Sequence, residues 1–231
     1  MTAAPRFRHR GREVTRLQGF SDAVFGFALT LLVVSLEVPR NYDQLWHAML
    51  GLPAFAASFA IFLWIWWEHH EFFRRYGLDD GLTTVLNALL LFVVLFYVYP
   101  LKFMFTLLSR MLFGVPPMPA GSVEAMIRAA QVPQLMAIYA LGFITVFAIL
   151  SLLYARAWQQ RDALGLDGVE RYMTRVYLRG HLLAMGVGVL SLGLAVTHTP
   201  WGSMLSGVSY ALLGPVLGVH GAMSGRRLPQ A

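Results

Sequence analysis

Residues 20–38 read FSDAVFGFALTLLVVSLEV, running from Phe20 to Val38 with only Asp22 near the start and Glu37 at the end as charged residues. In a helix that run is long enough to cross a hydrocarbon core of about 30 Å, which takes roughly 20 apolar residues. It continues into Glu37-Val38-Pro39 without a small-residue cleavage site, so it is expected to be a retained span rather than a removable leader. A carboxylate on a lipid-facing helix costs several kcal/mol, so Asp22 is expected to face protein or water. At about 100° per residue, Phe20, Ala23, Val24, Phe27, Thr30, Leu31, Val34 and Val38 share one broad face, and Asp22 points away from it.

The same pattern recurs along the chain. No Asp, Glu, Lys or Arg occurs between Asp43 and Glu68, and further apolar stretches follow over 81–101 and between Arg128 and Arg156. The interval from Gly180 to Arg226 carries no formal charge and breaks at Thr197-His198-Thr199-Pro200, where Pro200 and Trp201 suit a helix start at the interface. These divisions give six expected spans over residues 20–38, 46–67, 82–101, 133–155, 178–196 and 201–221, in a single domain covering 1–231. The fold class expected is therefore an all-α membrane protein with six transmembrane helices.

The composition agrees. Of 231 residues, 57% are hydrophobic and 13% charged, with a mean hydropathy of +0.58. A soluble domain has about 25% charged residues and could not cover that much apolar surface. Cysteine is absent, which excludes a disulfide framework, a thiolate metal site and a cysteine nucleophile. The net charge of +6 is topological rather than a nucleic-acid footprint. With the N-terminus inside, fourteen Lys/Arg fall in inner segments, from Arg6 to Arg227, and four fall outside: Arg40, Lys102, Arg110 and Arg128. Inner loops retain positive charge, so both termini are expected in the cytoplasm, and no nucleic-acid partner is expected. The arm carrying Arg6, Arg8, Arg10 and Arg12 reads as a mobile topogenic tail, and Arg171, Arg175 and Arg179 as a membrane-flanking stripe facing anionic lipid.

Two clusters carry polar chemistry. Arg16, Ser21 and Asp22 open the first span, and Glu68-His69-His70-Glu71 closes the second at a similar depth, so a buried network joining Ser21 and Asp22 to His69 or His70 is expected. The acidic and histidine residues have neither His-Glu-x-x-His nor Glu-x-x-His spacing, so a hydrogen-bonding role is expected rather than a metal site.

Arg16-x-x-x-Phe20-Ser21-Asp22 at the start of a first transmembrane helix resembles the signature of the transmembrane protein 175 family of potassium channels. Ala23-Val24-Phe25, Leu29-Thr30-Leu31-Leu32-Val33 and Val38-Pro39 continue the likeness. Trp66-Trp67-Glu68-His69-His70 is similar to the end of that family's second helix, and Asn87 followed by Pro100 to its third. The likeness is specific over about residues 16–105 and topological beyond. It implies a potassium-permeable homotetramer in the plasma membrane, of bacterial type, with the first helix lining a central pore. Carried over by position, Phe27 takes the principal gate, Thr30 a polar ring, and Leu31 and Val34 the next hydrophobic layers. The family usually has Ile or Leu where Phe27 stands. Potassium in the pore and membrane lipids are then the partners, with no cofactor and no bound metal.

No Thr-Val-Gly-Tyr-Gly filter occurs, and Gly186-Val187-Gly188-Val189 reads as a helix-packing site. A hydrophobic constriction gates by dewetting, which makes pore dimensions the selective element. A secondary transporter would instead need broken helices and paired repeats, to which Pro215 and its neighbouring glycines only hint. Asp22, His69 and His70 have no accompanying nucleophile, so an enzyme is not expected; a proton-conducting channel is a variant of the leading reading.

Overall fold

The computed structural model describes residues 7–11, 13–34, 39–113 and 127–227. Among these all regular secondary structure is helical: α1 Arg16–Val34, α2 Tyr42–Leu50, α3 Leu52–Tyr76, α4 Gly81–Phe113, α5 Val132–Gln159, α6 Gly168–Ala195, α7 Pro200–Val208 and α8 Leu213–Arg226. Short 3-10 turns cover Ala129–Gln131 and Ser209–Leu212. Four stretches are long and apolar enough to cross a membrane: Gly81–Met104, Val132–Gln159, Gly168–Ala195 and Pro200–Arg226. The chain is a multi-pass membrane protein.

Several helix ends differ from those read in the sequence, each for a local reason. The stretch over 46–67 is interrupted at Gly51, because Pro53 sits where a new helix begins and lacks the N–H that would bond backwards. α3 then continues past Trp67 to Tyr76. Its charged end is held by Glu71 pairing with Arg75 at 2.7 Å and Arg74 at 3.7 Å, and left-handed Gly77 (φ 60°) donates to the Phe73 carbonyl at 2.8 Å. α4 runs on to Phe113 through Pro100, whose carbonyl accepts from the Tyr139 hydroxyl at 2.6 Å. In the sequence Ser122 could cap a short helix over 124–130, most of which lies outside the described residues. The stretch over 201–221 is broken into α7, a 3-10 turn and α8, with Gly207, Gly214 and Pro215 weakening it. Thr199 caps α7 by accepting from the Gly202 amide at 3.0 Å.

The core is one apolar cluster. Phe25, Ala28 and Leu32 of α1 meet Phe62, Phe72 and Phe73 of α3 and Leu86, Leu90, Val94 and Val98 of α4. α5 and α6 pack closely because Gly188 lets the helices approach: a Cβ there would stand 2.9 Å from Ile144 and 3.0 Å from Phe143. The Tyr97 ring of α4 occupies the space a side chain at Gly142 would need. Gly186, by contrast, has nothing within 4 Å of that position, so only one glycine of the 186–188 pair serves packing within the chain.

The N-terminal arm corrects the reading of it as a mobile tail. Residues 7–11 lie along the C-terminal end of α3 and the N-terminal end of α6, with Phe7 edge-on to Tyr76 at 5.4 Å and Arg10 paired with Glu170 at 2.7 Å. The Arg171 stripe is also engaged inside the chain: Arg171 pairs with Asp162 at 2.6 Å and Arg175 lies 5.1 Å over the Trp158 ring.

Candidate functional site

α1 has two unlike faces. Ser21, Phe25, Ala28 and Leu32 repeat every three to four residues and are buried against α3 and α4, the two helices α1 packs on. Away from them Phe20, Ala23, Gly26, Phe27 and Thr30 are exposed, Phe27 with 68% of its surface uncovered. Val24 and Leu31 sit at the edge, half-buried against the core. Val34 ends the helix, and its side chain lies outside the described residues. On the uncovered face the Thr30 hydroxyl donates to the Gly26 carbonyl at 2.8 Å, which fixes its rotamer and keeps its oxygen available as an acceptor.

Behind this face a relay of hydrogen bonds joins three helices. The Ser21 hydroxyl donates to the Leu17 carbonyl at 2.8 Å, so its oxygen accepts from Asn87 Nδ2 at 2.9 Å. That orients the amide, leaving Asn87 Oδ1 to face His69 Nε2 at 2.7 Å. The imidazole therefore donates through Nε2, a tautomer assigned from the network. Ser21, His69 and Asn87 are all fully or nearly fully buried, the condition under which such polar groups require partners. Phe25 and Phe73 flank the His69 ring at centroid distances of 5.5 and 4.7 Å.

Asp22 belongs to a separate, more open arrangement. Its Oδ1 accepts from Trp66 Nε1 at 2.8 Å, and His70 stacks on Trp66 at 5.2 Å. Asp22, Gln18, His69, His70 and Arg74 line a cleft of about 280 Å³. The structure thus brings Ser21, Asn87 and His69 into one relay and links Asp22 to His70 through Trp66. Arg16 is exposed and forms no ion pair among the described residues, and Phe20 is exposed beside it.

Two features escaped sequence reasoning. Trp66 links Asp22 to α3, although in the sequence it figures only as part of the Trp66-Trp67-Glu68-His69-His70 stretch. Glu68 reaches α6, where His181 Nε2 lies 3.3 Å from its carboxylate, while Trp64 Nε1 donates to it at 3.3 Å. Adjacent polar residues on one helix diverge by about 100°, so Glu68 and His69 serve different neighbours. Only the neighbours' positions reveal which.

Residues 16–97 match the family described as endosomal/lysosomal potassium channel TMEM175. A potassium channel of Marivirga tractuosa is 37% identical over 233 aligned residues, covering 96% of this chain and 92% of the relative. A crystal structure of the potassium channel MtTMEM175, a variant bound to a nanobody–MBP fusion, superposes with a TM-score of 0.83 at 36% identity, covering 97% of this chain and 99% of that one. A second crystal structure, of a lysosomal potassium-selective channel TMEM175 homologue from Chamaesiphon minutus, has a TM-score of 0.56 at 24% identity over 90% of this chain and 96% of that one, a likeness of fold.

Proposed function

This chain belongs to the TMEM175 family of potassium channels, and on that premise we propose that it forms a homotetrameric, potassium-permeable pore lined by α1 and constricted at Phe27. The observation that carries this reading is the uncovered apolar face of α1. A large ring left 68% exposed beside an otherwise packed helix marks a surface that is covered by something other than this subunit. Phe27, Thr30, Leu31 and Val34 are the lining positions, with Thr30 the polar ring among hydrophobic layers. Ions pass when the apolar constriction wets, and pore width with lining dipoles, rather than a Thr-Val-Gly-Tyr-Gly filter, sets selectivity.

In this reading six helical passes place both termini in the cytoplasm of a bacterial-type plasma membrane, with lipid covering the outer faces. Ser21, Asp22, His69, His70 and Asn87 hold α1 in place rather than coordinating ions, and Arg16 and Phe20, exposed in this subunit, serve the same structural role toward a neighbouring subunit. The relay from Ser21 to His69 supports that role, since its polar atoms point away from the Phe27 face.

The test is potassium flux from proteoliposomes. Phe27→Ala is expected to raise passive potassium conductance about tenfold, the effect of removing roughly 1.4 kcal/mol from a permeation barrier. Flux that saturates, demands a coupling ion and ignores Phe27 substitution would establish a transporter instead. A reversal potential that tracks the proton gradient alone would establish a proton channel.

A further inference from the structure

The segment before α1 is anchored by contacts of unusual completeness. The Arg10 and Gly11 amides donate to the carbonyls of Arg75 and Arg74 at 3.4 and 3.2 Å, among the last carbonyls of α3, which have no donor within their own helix. A Cβ at Gly11 would collide with the Phe73 carbonyl, so the arm passes α3 at backbone contact. Arg10 then reaches α6. Its Nη1 and Nη2 donate to Glu170 at 3.1 and 2.7 Å, and its Nε and Nη2 donate to the carbonyls of Leu164 and Gly165 at 2.9 and 3.3 Å.

Glu170 receives two further donors, the amides of Arg8 at 2.9 Å and Asp167 at 3.1 Å. Its side chain is 1% exposed, so four N–H groups meet a carboxylate withdrawn from water. A charge so buried is stable only when its acceptor positions are filled, and Arg10 supplies half of them. Residues 13–15 lead directly into α1. Thr15 and Gln18 form a reciprocal cap, with the Thr15 amide on Gln18 Oε1 at 3.1 Å and the Gln18 amide on Thr15 Oγ1 at 3.2 Å. Among the described residues the backbone of α1 lies close to α3 and α4 and to no helix of the α5–α8 half. The arm is therefore a direct link between the start of α1 and α6, beside the indirect one through α3 and α4.

We propose that Arg10 and Glu170 are positioning residues for the pore helix. Latched, they hold the inner end of α1 in one placement relative to α6; released, they let α1 shift against the α5–α8 half and carry Phe27 with it. This rests on α1 lining the pore. Single-channel recording of the full chain in planar bilayers tests it, using wild type, Arg10→Ala, Glu170→Gln and the double variant.

Each single substitution is expected to change the ratio of open to closed time about tenfold in the same direction, within the usual range of coupling between sites. Unitary conductance and reversal potential are expected to stay at wild-type values. The double variant is expected to match the singles, since both remove one interaction. Arg10→Lys, which keeps the charge without the fork, should fall between wild type and Arg10→Ala. Should Glu170→Gln fail to assemble, the two Arg10 variants carry the test, because Arg10 lies outside the helices.

Unchanged open-to-closed ratios would overturn the proposal, as would effects of the two singles that add. So would altered stability or yield without altered gating. Wild-type protein that passes no potassium current would instead refute the pore reading on which the proposal stands.

Discussion

Asn87 is fully buried on α4 and bonds to two helices other than its own, through Ser21 and His69. Replacing it with Ala strands the His69 N–H in the apolar interior. Asn87→Ala is expected to cost about 2 kcal/mol, read as a lower unfolding midpoint in detergent. An unchanged midpoint would mean that the relay is incidental to stability. Asp22 differs, since its bond to Trp66 asks only for an acceptor oxygen. Asp22→Asn is therefore expected to affect assembly or expression before selectivity; a change confined to selectivity would place this carboxyl in the ion path. That Ser21, Asp22, His69 and His70 lie close together was legible in sequence, because they stand at the start of α1 and toward the end of α3, at a similar depth. The division into a buried relay and an open cleft was not, because one residue of helical phase decides which neighbour each side chain meets.

At the scale of helices, close approach and capping set the geometry. Gly142→Ala places a methyl group against the Tyr97 ring and is expected to destabilise the α4–α5 contact by about 1–3 kcal/mol. Gly186→Ala meets nothing in the chain and should be close to neutral or slightly stabilising, which makes it the matched control. Thermal melts of the two variants in one detergent decide the matter.

Asp80 begins α4. Its carboxylate accepts from the amides of Leu82 and Thr83 and from the Thr83 hydroxyl, and pairs with Arg156 at 3.3 Å. Burial would raise its pKa, but the Thr83 hydrogen bonds and the Arg156 guanidinium outweigh that and hold the carboxyl below its ordinary value of 3.8. A depressed carboxyl stabilises the folded state above its unfolded pKa and loses that contribution as pH falls through the folded value. The stability gap between wild type and Asp80→Asn, which keeps the cap but not the charge, should therefore persist at neutral pH and close on acidification below about 3.8. A gap independent of pH would assign the effect to the cap alone.

At the scale of the molecule, exposed apolar residues fall on surfaces with different expected neighbours. On α4, Val85, Leu89, Phe92, Phe96 and Tyr99 form an exposed helical stripe, and on α1 the stripe is centred on Phe27. A pore formed by α1 brings the Phe27 positions of several subunits together, whereas a lipid-facing stripe keeps its copies apart. The chain has no cysteine, so one introduced thiol is the sole site of oxidation. Phe27→Cys in membranes treated with a mild oxidant is expected to give disulfide-linked dimers on non-reducing gels, and Phe92→Cys is expected to remain monomeric. Crosslinking at position 92 but not at 27 would move the subunit interface away from α1.

Hydropathy, the distribution of arginines and the Arg16-to-Asp22 signature were sufficient, without coordinates, to identify a helical membrane protein and its family. These properties are local: the bilayer demands length and apolarity of each segment separately, and a signature is a contiguous string. The sequence also divides α1 into two faces, because helical phase is periodic. Only the tertiary structure decided which face is buried, that Trp66 rather than a histidine reaches Asp22, and that residues 7–11 of the arginine arm are bound. The pairing of Arg10 with Glu170 joins residues 160 positions apart. Nothing in the pattern near Arg10 distinguishes a charge that meets water or lipid headgroups from one that meets a buried carboxylate; the packing of α3 against α6 makes that choice.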